Sequence, residues 1–274
     1  MSGQAALERL PGRSGWARPG PWLRIAALRA SGIVGVLVVW AIVGQFGLVR
    51  PFLVPPLPAV VAQLGDDVVT GGFAISAAST LYRALAGFAL ACAIGIPVGI
   101  LISRNRLVGW FVTPIVSVGF PTPTLAFLPI FMLWFGVFDL SKIVMTTFST
   151  VFTVIAAADA GTRGVERHLV WSAESLGAKR TAVFFEVMLP AAMPQILTGL
   201  QVALPLALIV EVAAEMLMGG DGLGGRMLQA ENYADSVGVY AGIIEIAVVG
   251  AIAVGGMARM RQRLLRWHVE TAAR

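Results

Sequence analysis

Charge is scarce in this sequence, and so are cysteine and histidine. Asp, Glu, Lys and Arg together make up 13% of the 274 residues, while apolar residues make up 57%. A soluble domain of this length carries roughly a quarter charged residues, so the class is an all-α, polytopic membrane protein. A single cysteine, Cys92, lies in an apolar run, which excludes a disulfide framework and a cysteine-based metal site. The two histidines, His168 and His268, stand in polar segments with no cysteine or carboxylate at ligand spacing. No Gly-x-x-x-x-Gly-Lys-Ser/Thr occurs, so the chain has no loop of its own to cradle ATP, and no bound cofactor is expected. The apolar segments hold no histidine, which removes the Ser–His and His/Glu zinc sets that an intramembrane protease needs. Gly220-x-Gly222-x-x-Gly225 matches a dinucleotide fingerprint in letters only. It follows a membrane helix instead of a strand and reads as a helix-terminating loop.

What is abundant is apolar sequence, and its interruptions set the expected topology. Residues 1–30 carry Arg9, Arg13, Arg18, Arg24 and Arg29 among Pro and Gly and read as a largely disordered cytoplasmic tail. Residues 31–258 read as a six-helix transmembrane domain, with spans at Ser31–Val49, Phe73–Ser103, Leu107–Gly136, Ser141–Ala160, Pro190–Met218 and Val237–Met257. The first is long for a signal peptide and lacks a small-x-small cleavage site, so it reads as an uncleaved span. A Pro-rich link and a short amphipathic helix from Leu57 follow it. Phe120-Pro121-Thr122-Pro123-Thr124 must make the third span broken or re-entrant, because proline removes backbone donors; such a segment is tolerable only where protein or water covers it. Residues 259–274 form a basic cytoplasmic tail.

The basic residues orient these spans. With the amino terminus inside, only Arg50, Lys142 and Arg226 fall in outer segments and Arg83 within a span. Every other Lys and Arg falls in a cytoplasmic tail or loop. The net charge of +5 therefore reflects the positive-inside tendency, and nucleic acid is not an expected partner.

The longest polar interruption lies between the fourth and fifth spans, over residues 161–189. Val165, Leu169, Ala173 and Leu176 recur at helical spacing, with Glu166, Arg167, Ser172 and Glu174 on other faces. Gly177 breaks that helix, and a second amphipathic piece, Lys179–Met188, leads to Leu189-Pro190, where the chain turns back into apolar sequence. A helix–Gly–helix between two spans is a surface feature suited to a soluble partner.

Arg83, Glu211, Glu215 and Glu245 lie within spans, where an ionised side chain is costly and a functional role is the first reading. Counting from the outer ends, Arg83, Glu211 and Glu245 sit at a similar depth, roughly 10–15 Å. Arg83 is thus expected to pair with Glu211 or Glu245, either as a purely structural pair or beside the solute route. Pro121, Thr122 and Thr124 at the broken segment, with Glu211 and Glu215, are the candidate pathway residues, since broken backbone exposes carbonyl and hydroxyl groups.

Several stretches resemble the membrane-spanning permease subunit of bacterial ABC importers, in the nitrate/sulfonate/taurine-type branch. They are TLYRALAGFALACAIGIPVGILIS, PTPTLAFLPIFMLWFG, LGAKRTAVFFEVMLPAAMPQILTGLQVAL, VAAEMLMGGDGLG and VYAGIIEIAVVG, within about residues 55 to 268. The resemblance implies a type I importer-like permease fold in the bacterial inner membrane. It also implies a second permease subunit, the same chain as a homodimer partner, two ABC ATPase subunits that use ATP and Mg, and an external solute-binding protein. Within 161–189 the loop with Val165, Leu169, Ala173, Glu174, Leu176, Gly177, Leu189 and Pro190 would then couple to the ATPases. One departure stands out: relatives commonly start this loop with Glu-Ala-Ala six residues before its glycine, where this chain has Trp171-Ser172-Ala173, with Glu174 three residues on. The resemblance also implies apolar residues where Glu211 and Glu245 stand. The solute expected is a small sulfonate-, nitrate- or taurine-like anion, or a vitamin- or pyrimidine-precursor-like compound. A secondary transporter would show more spans and an internal repeat, and a scaffold would not need the broken third span together with this loop.

Overall fold

The computed structural model describes residues 21–47 and 49–266. Among them, the chain is helical from end to end, with no strand. Residues up to Leu57 make one unit and Pro58–Arg274 another. The first unit holds α1 (Pro21–Gln45). This helix begins ten residues before the expected span, so residues 21–30 are not disordered tail: PWLRIAALRA is rich in Leu, Ala and Arg, all good helix formers. The Trp40 indole donates to the Pro55 carbonyl at 3.0 Å and fixes the Pro-rich link that follows. The rest of the expected tails, residues 1–20 and 267–274, lies outside the described residues.

From Leu57 onward, all but that first residue within the second unit, come α2 (Leu57–Val69), α3 (Gly72–Arg104), α4 (Arg106–Gly119), α5 (Leu128–Phe135), α6 (Asp139–Arg163), α7 (Arg167–Ser175), the turn α8 (Arg180–Ala182), α9 (Leu189–Met218), α10 (Leu223–Asn232) and α11 (Ser236–Leu264). Among the described residues, four helical stretches are long and apolar enough to cross a bilayer: α3, α6, Arg180–Met218 and α11. Residues 106–119 and 124–135 make a fifth if they count as one broken span, the two halves meeting at 92°. The break falls at the expected prolines. Phe120 ends α4, and Thr124–Phe127 turns as a 3₁₀ segment before α5.

One expected boundary moves. Leu189-Pro190 does not turn the chain back, because helix runs through it. Val183–Met188 widens into a π-helical segment in which the Leu189 N–H reaches the Phe184 carbonyl. This extra residue per turn falls immediately before Pro190, whose ring nitrogen has no proton for the preceding turn. The stretch Arg180–Met218 is 39 residues, about 58 Å at the helical rise, so its amino-terminal part extends beyond any bilayer core.

A row of small residues sets the packing. Gly87, Ala91, Gly95 and Gly99 recur every fourth position on α3 and face Thr146, Val154 and Ala158 of α6, all fully buried. A methyl group added to Gly95 would lie 2.8 Å from Val154 Cγ1, and one added to Gly99 would lie 2.6 Å from Ala158 Cβ. The same device joins α6 to α9: a Cβ on Gly199 would collide with that of Ala157. Close backbone approach of this kind is what drives helix association in lipid, where burying apolar side chains gains little. The adjoining core is Ile196, Leu197, Leu200 and Leu204 of α9 with Ala91, Val154 and Ala158.

Gly99→Leu therefore destabilises the fold by about 1–3 kcal/mol through overpacking. Gly256→Ala, at a position with nothing within 4 Å, leaves it unchanged. Thermal unfolding of the two purified variants in the same detergent checks the contrast.

Candidate functional site

Three helices each carry a pair of polar side chains about one turn apart, so that they share a face: Thr80 and Arg83 on α3, Lys142 and Thr146 on α6, Glu211 and Glu215 on α9. All six are buried. Arg83 is the hub. Its Nη1 contacts Glu215 Oε1 at 2.9 Å, its Nε and Nη2 both reach Asp139 Oδ1 at 2.8 Å, and it also donates to the Asp221 carbonyl at 2.5 Å. The expected pairing with Glu211 or Glu245 is thus corrected to Glu215 and Asp139. The depth argument missed by about one turn of α9, because the segment after α9 folds back beside α3 and Glu215 no longer marks the outer rim.

That segment is Gly219–Gly222, and it is clamped by the same carboxylate. Glu215 accepts from the Thr80 hydroxyl at 2.9 Å and from the Gly224 N–H at 3.0 Å, while Thr80 accepts from the Leu223 N–H at 2.9 Å. Gly222 has φ +120, and a Cβ there would strike the Glu215 carboxylate; glycine is required on both counts. Lys142, expected as an outer charge, is instead buried and donates to the Gly219 carbonyl at 2.8 Å. Glu211 accepts from Thr146 at 2.9 Å through Oε2, and its Oε1 has no partner. The Gly220–Gly225 motif is therefore a structural clamp. Its Gly224 N–H serves a protein carboxylate, as an anion-seeking backbone donor does when no water competes.

Glu245 belongs to a second cluster. Arg226 of α10 reaches Asp67 of α2 at 2.5 Å and Glu245 of α11 at 3.4 Å, which ties three helices together. Gln63 also donates to Asp67 at 3.3 Å. Thr80, Asp139 and Asp67 were not singled out from the sequence, and Lys142 and Arg226 were counted there only as outer charges. The available signal was polar residues one helical turn apart in otherwise apolar helices, as in Lys142/Thr146 and Glu211/Glu215.

The loop between α6 and α9 is the other candidate. Its helix, α7, spans nine residues and ends where Gly177 adopts φ +81; the Gly177 N–H returns to the Glu174 carbonyl at 2.9 Å, and the Ala178 N–H to that of Ala173 at 3.1 Å. The expected apolar face divides. Val165 packs against the core and Ala173 is half-buried, while Leu169 is exposed and Leu176 is 89% exposed. Trp171 is 61% exposed. Glu174 is exposed too, whereas Leu189 and Pro190 are half-buried inside the continuous helix. At the broken span, Pro121 is exposed and Thr122 and Thr124 are half-buried; the Thr122 hydroxyl donates to the Val118 carbonyl at 2.6 Å.

Removing one member of a buried ion pair leaves the other unpaired, so Arg83→Ala costs about 3–5 kcal/mol. In a cycle with Glu215→Gln, the double variant loses less than the sum of the singles, by about 0.5–3 kcal/mol. Unfolding midpoints in detergent measure this, and strict additivity would remove the pair.

Residues 95–266 match the family described as binding-protein-dependent transport system inner membrane component. The taurine transport system permease protein TauC of Escherichia coli (strain K12) is 32% identical over 91% of this chain and 93% of its own length. The putative aliphatic sulfonates transport permease protein SsuC of Bacillus subtilis (strain 168) is 29% identical over 96% and 92%. Among solved structures, a chain of the methionine ABC transporter MetNI in an inward-facing conformation superposes with a TM-score of 0.57 at 17% identity, over 68% of this chain and 93% of that one. The family model covers more than half of the chain and the taurine permease is alike over nearly all of it, so this chain belongs to the family of binding-protein-dependent transport system inner membrane components.

Proposed function

We propose that this permease carries a small sulfonate-like oxyanion inward, working as one of two identical permease subunits. Two ATPase subunits, which use ATP and Mg, drive it from the cytoplasm, and an external binding protein supplies the solute. The observation that carries the choice of solute is the state of the two glutamates. Carboxylates lining a passage would repel an anion, but Glu211 and Glu215 are both fully buried, with Arg83 and Thr80 on one and Thr146 on the other. They hold helices together and leave the route free for negative charge. The similarity to taurine and sulfonate permeases supports the same solute class.

For the route itself, the reading favours the break at Pro121, Thr122 and Thr124. Backbone and hydroxyl groups there are neutral hydrogen-bonding partners for an oxyanion. The topology proposed is six spans from α1 to α11 with both termini cytoplasmic. The burial of Lys142 supports it by removing one of the few outer charges.

Coupling is proposed to run through α7. Leu169, Trp171 and Leu176 are large apolar groups held out from a surface helix, which suits insertion into a groove of an ATPase subunit. Gly177 lets the chain leave that groove sharply. The extended helix Arg180–Met218 then joins the loop directly to Glu211 and Glu215. Closure of the ATPases would move this rod as a rigid body and switch access between the two sides.

Uptake by whole cells tests the solute: taurine and short alkanesulfonates are expected to compete with one another, and neutral pyrimidines to have no effect. Thr124→Val should lower uptake about tenfold, the worth of one lost hydrogen bond at the upper end of its range. Leu176→Glu is expected to abolish co-purification of the ATPase while leaving the fold intact. An unchanged ATPase yield would sink the coupling role of α7.

A further inference from the structure

We propose that the hairpin between α3 and α4 forms a binding site for the headgroup of an anionic phospholipid. Arg104 ends α3, Asn105 reverses the chain, and Arg106 starts α4. The reversal is tight. Asn105 Oδ1 caps α4 by accepting from the Leu107 N–H at 2.9 Å and the Val108 N–H at 3.4 Å. One turn on, Gly109 passes so close that an added Cβ would lie 3.1 Å from the Ile102 carbonyl. The two guanidiniums are thereby set on either side of one turn. The carboxy-terminal end of α6 brings Arg163 alongside, held by Asp159 at 2.7 Å. Together with Ser103, Trp110 and Thr113, these residues line a cleft of about 540 Å³.

Charge and shape both point to a phosphodiester. Three arginines line the cleft and, among the described residues, Asp159 is the one carboxylate paired with any of them; neither Arg104 nor Arg106 has an acidic partner. Arginine binds phosphate oxygens bidentately, and its fork is pre-organised for that geometry. The Arg106 guanidinium lies 5.8 Å from the Trp110 ring centroid, a cation–π contact that steadies it without cancelling its charge. A free oxyanion would need only this polar wall. The adjoining turns of α3 and α4, however, are apolar outward: Leu101, Leu107, Trp110 and Phe111 are all exposed large side chains, with Leu107 at 81%. A guanidinium cluster with exposed aliphatic and aromatic groups beside it matches a molecule having a charged head and acyl chains. Tryptophan and arginine also favour the headgroup level of a bilayer, and basic pockets between membrane helices take anionic lipids. The lipid would link the ends of α3, α4 and α6, and α6 leads within a few residues into α7.

The inference needs only that the chain lies in a bilayer, so it stands or falls separately from the solute and the ATPase contacts. Native mass spectrometry of the intact purified transporter, titrated with phosphatidylglycerol or phosphatidylcholine, reads it directly. One phosphatidylglycerol per chain should be retained in preference to phosphatidylcholine. Arg104→Gln with Arg106→Gln should weaken that retention about 25-fold, at about fivefold per guanidinium. Arg259→Gln with Arg263→Gln, on the far end of α11, should not. Equal retention of the two lipids, or wild-type retention in the Arg104/Arg106 variant, overturns the proposal. So does displacement of the lipid by taurine or inorganic phosphate, which would make the cleft a soluble-oxyanion site. Should that variant fold poorly, a phosphatidylglycerol with a photoreactive acyl chain tests the intact protein. Crosslinks at Leu107–Phe111 support the site, and crosslinks confined elsewhere remove it.

Discussion

The close approach of α3 and α6 is the constraint on which the rest of this protein depends. In lipid, apolar side chains gain little by turning inward, so two helices stay together only where their backbones come near enough for dense packing. Gly87, Gly95 and Gly99 on one side, with Thr146, Val154 and Ala158 on the other, provide that contact. The same spacing fixes where polar groups can meet. Once the small-residue row is in register, Arg83 lies beside Asp139 and within reach of Glu215. A shift of α3 by one turn along α6 would separate them by about 5 Å.

The polar clamp follows from that register and does a different task. Each ion costs several kcal/mol to take out of water, and the pair recovers this only if its remaining hydrogen bonds are made. Glu215 meets that condition by collecting Thr80, Arg83 and the Gly224 N–H, and the consequence is that Gly219–Gly222 is drawn inward. A loop that would otherwise be free at the end of α9 becomes part of the helix bundle. The extended helix then runs from this clamp to the exposed loop that follows Gly177, so the clamp and the loop stand at the two ends of one rod.

Much of this was legible in the residues. The apolar runs announced their helices, Phe120–Thr124 announced the break now seen as a 92° bend, and Gly177 announced the end of α7. Other features were open to misreading. Pro190 looks like a helix start, yet a π-helical segment lets the helix pass it. Lys142 looks like an outer charge because it stands at the beginning of an apolar run, yet it bends to the Gly219 carbonyl and is buried. Arg83 looks level with Glu211 and Glu245 when depth is counted from assumed span ends, yet the inward fold of the following loop shifts its partner to Glu215.

The sequence by itself determined the class, the helices and their faces, since periodicity and the scarcity of charge are properties of one segment at a time. It also determined the exposed loop, because a polar helix between two long apolar runs has nowhere to hide. Which carboxylate meets which cation was decided only by the tertiary structure. Periodicity fixes the angle of a side chain around its own helix axis. It leaves free the sliding of one helix along another, and that offset is set by glycine-sized gaps on surfaces that come from distant parts of the chain.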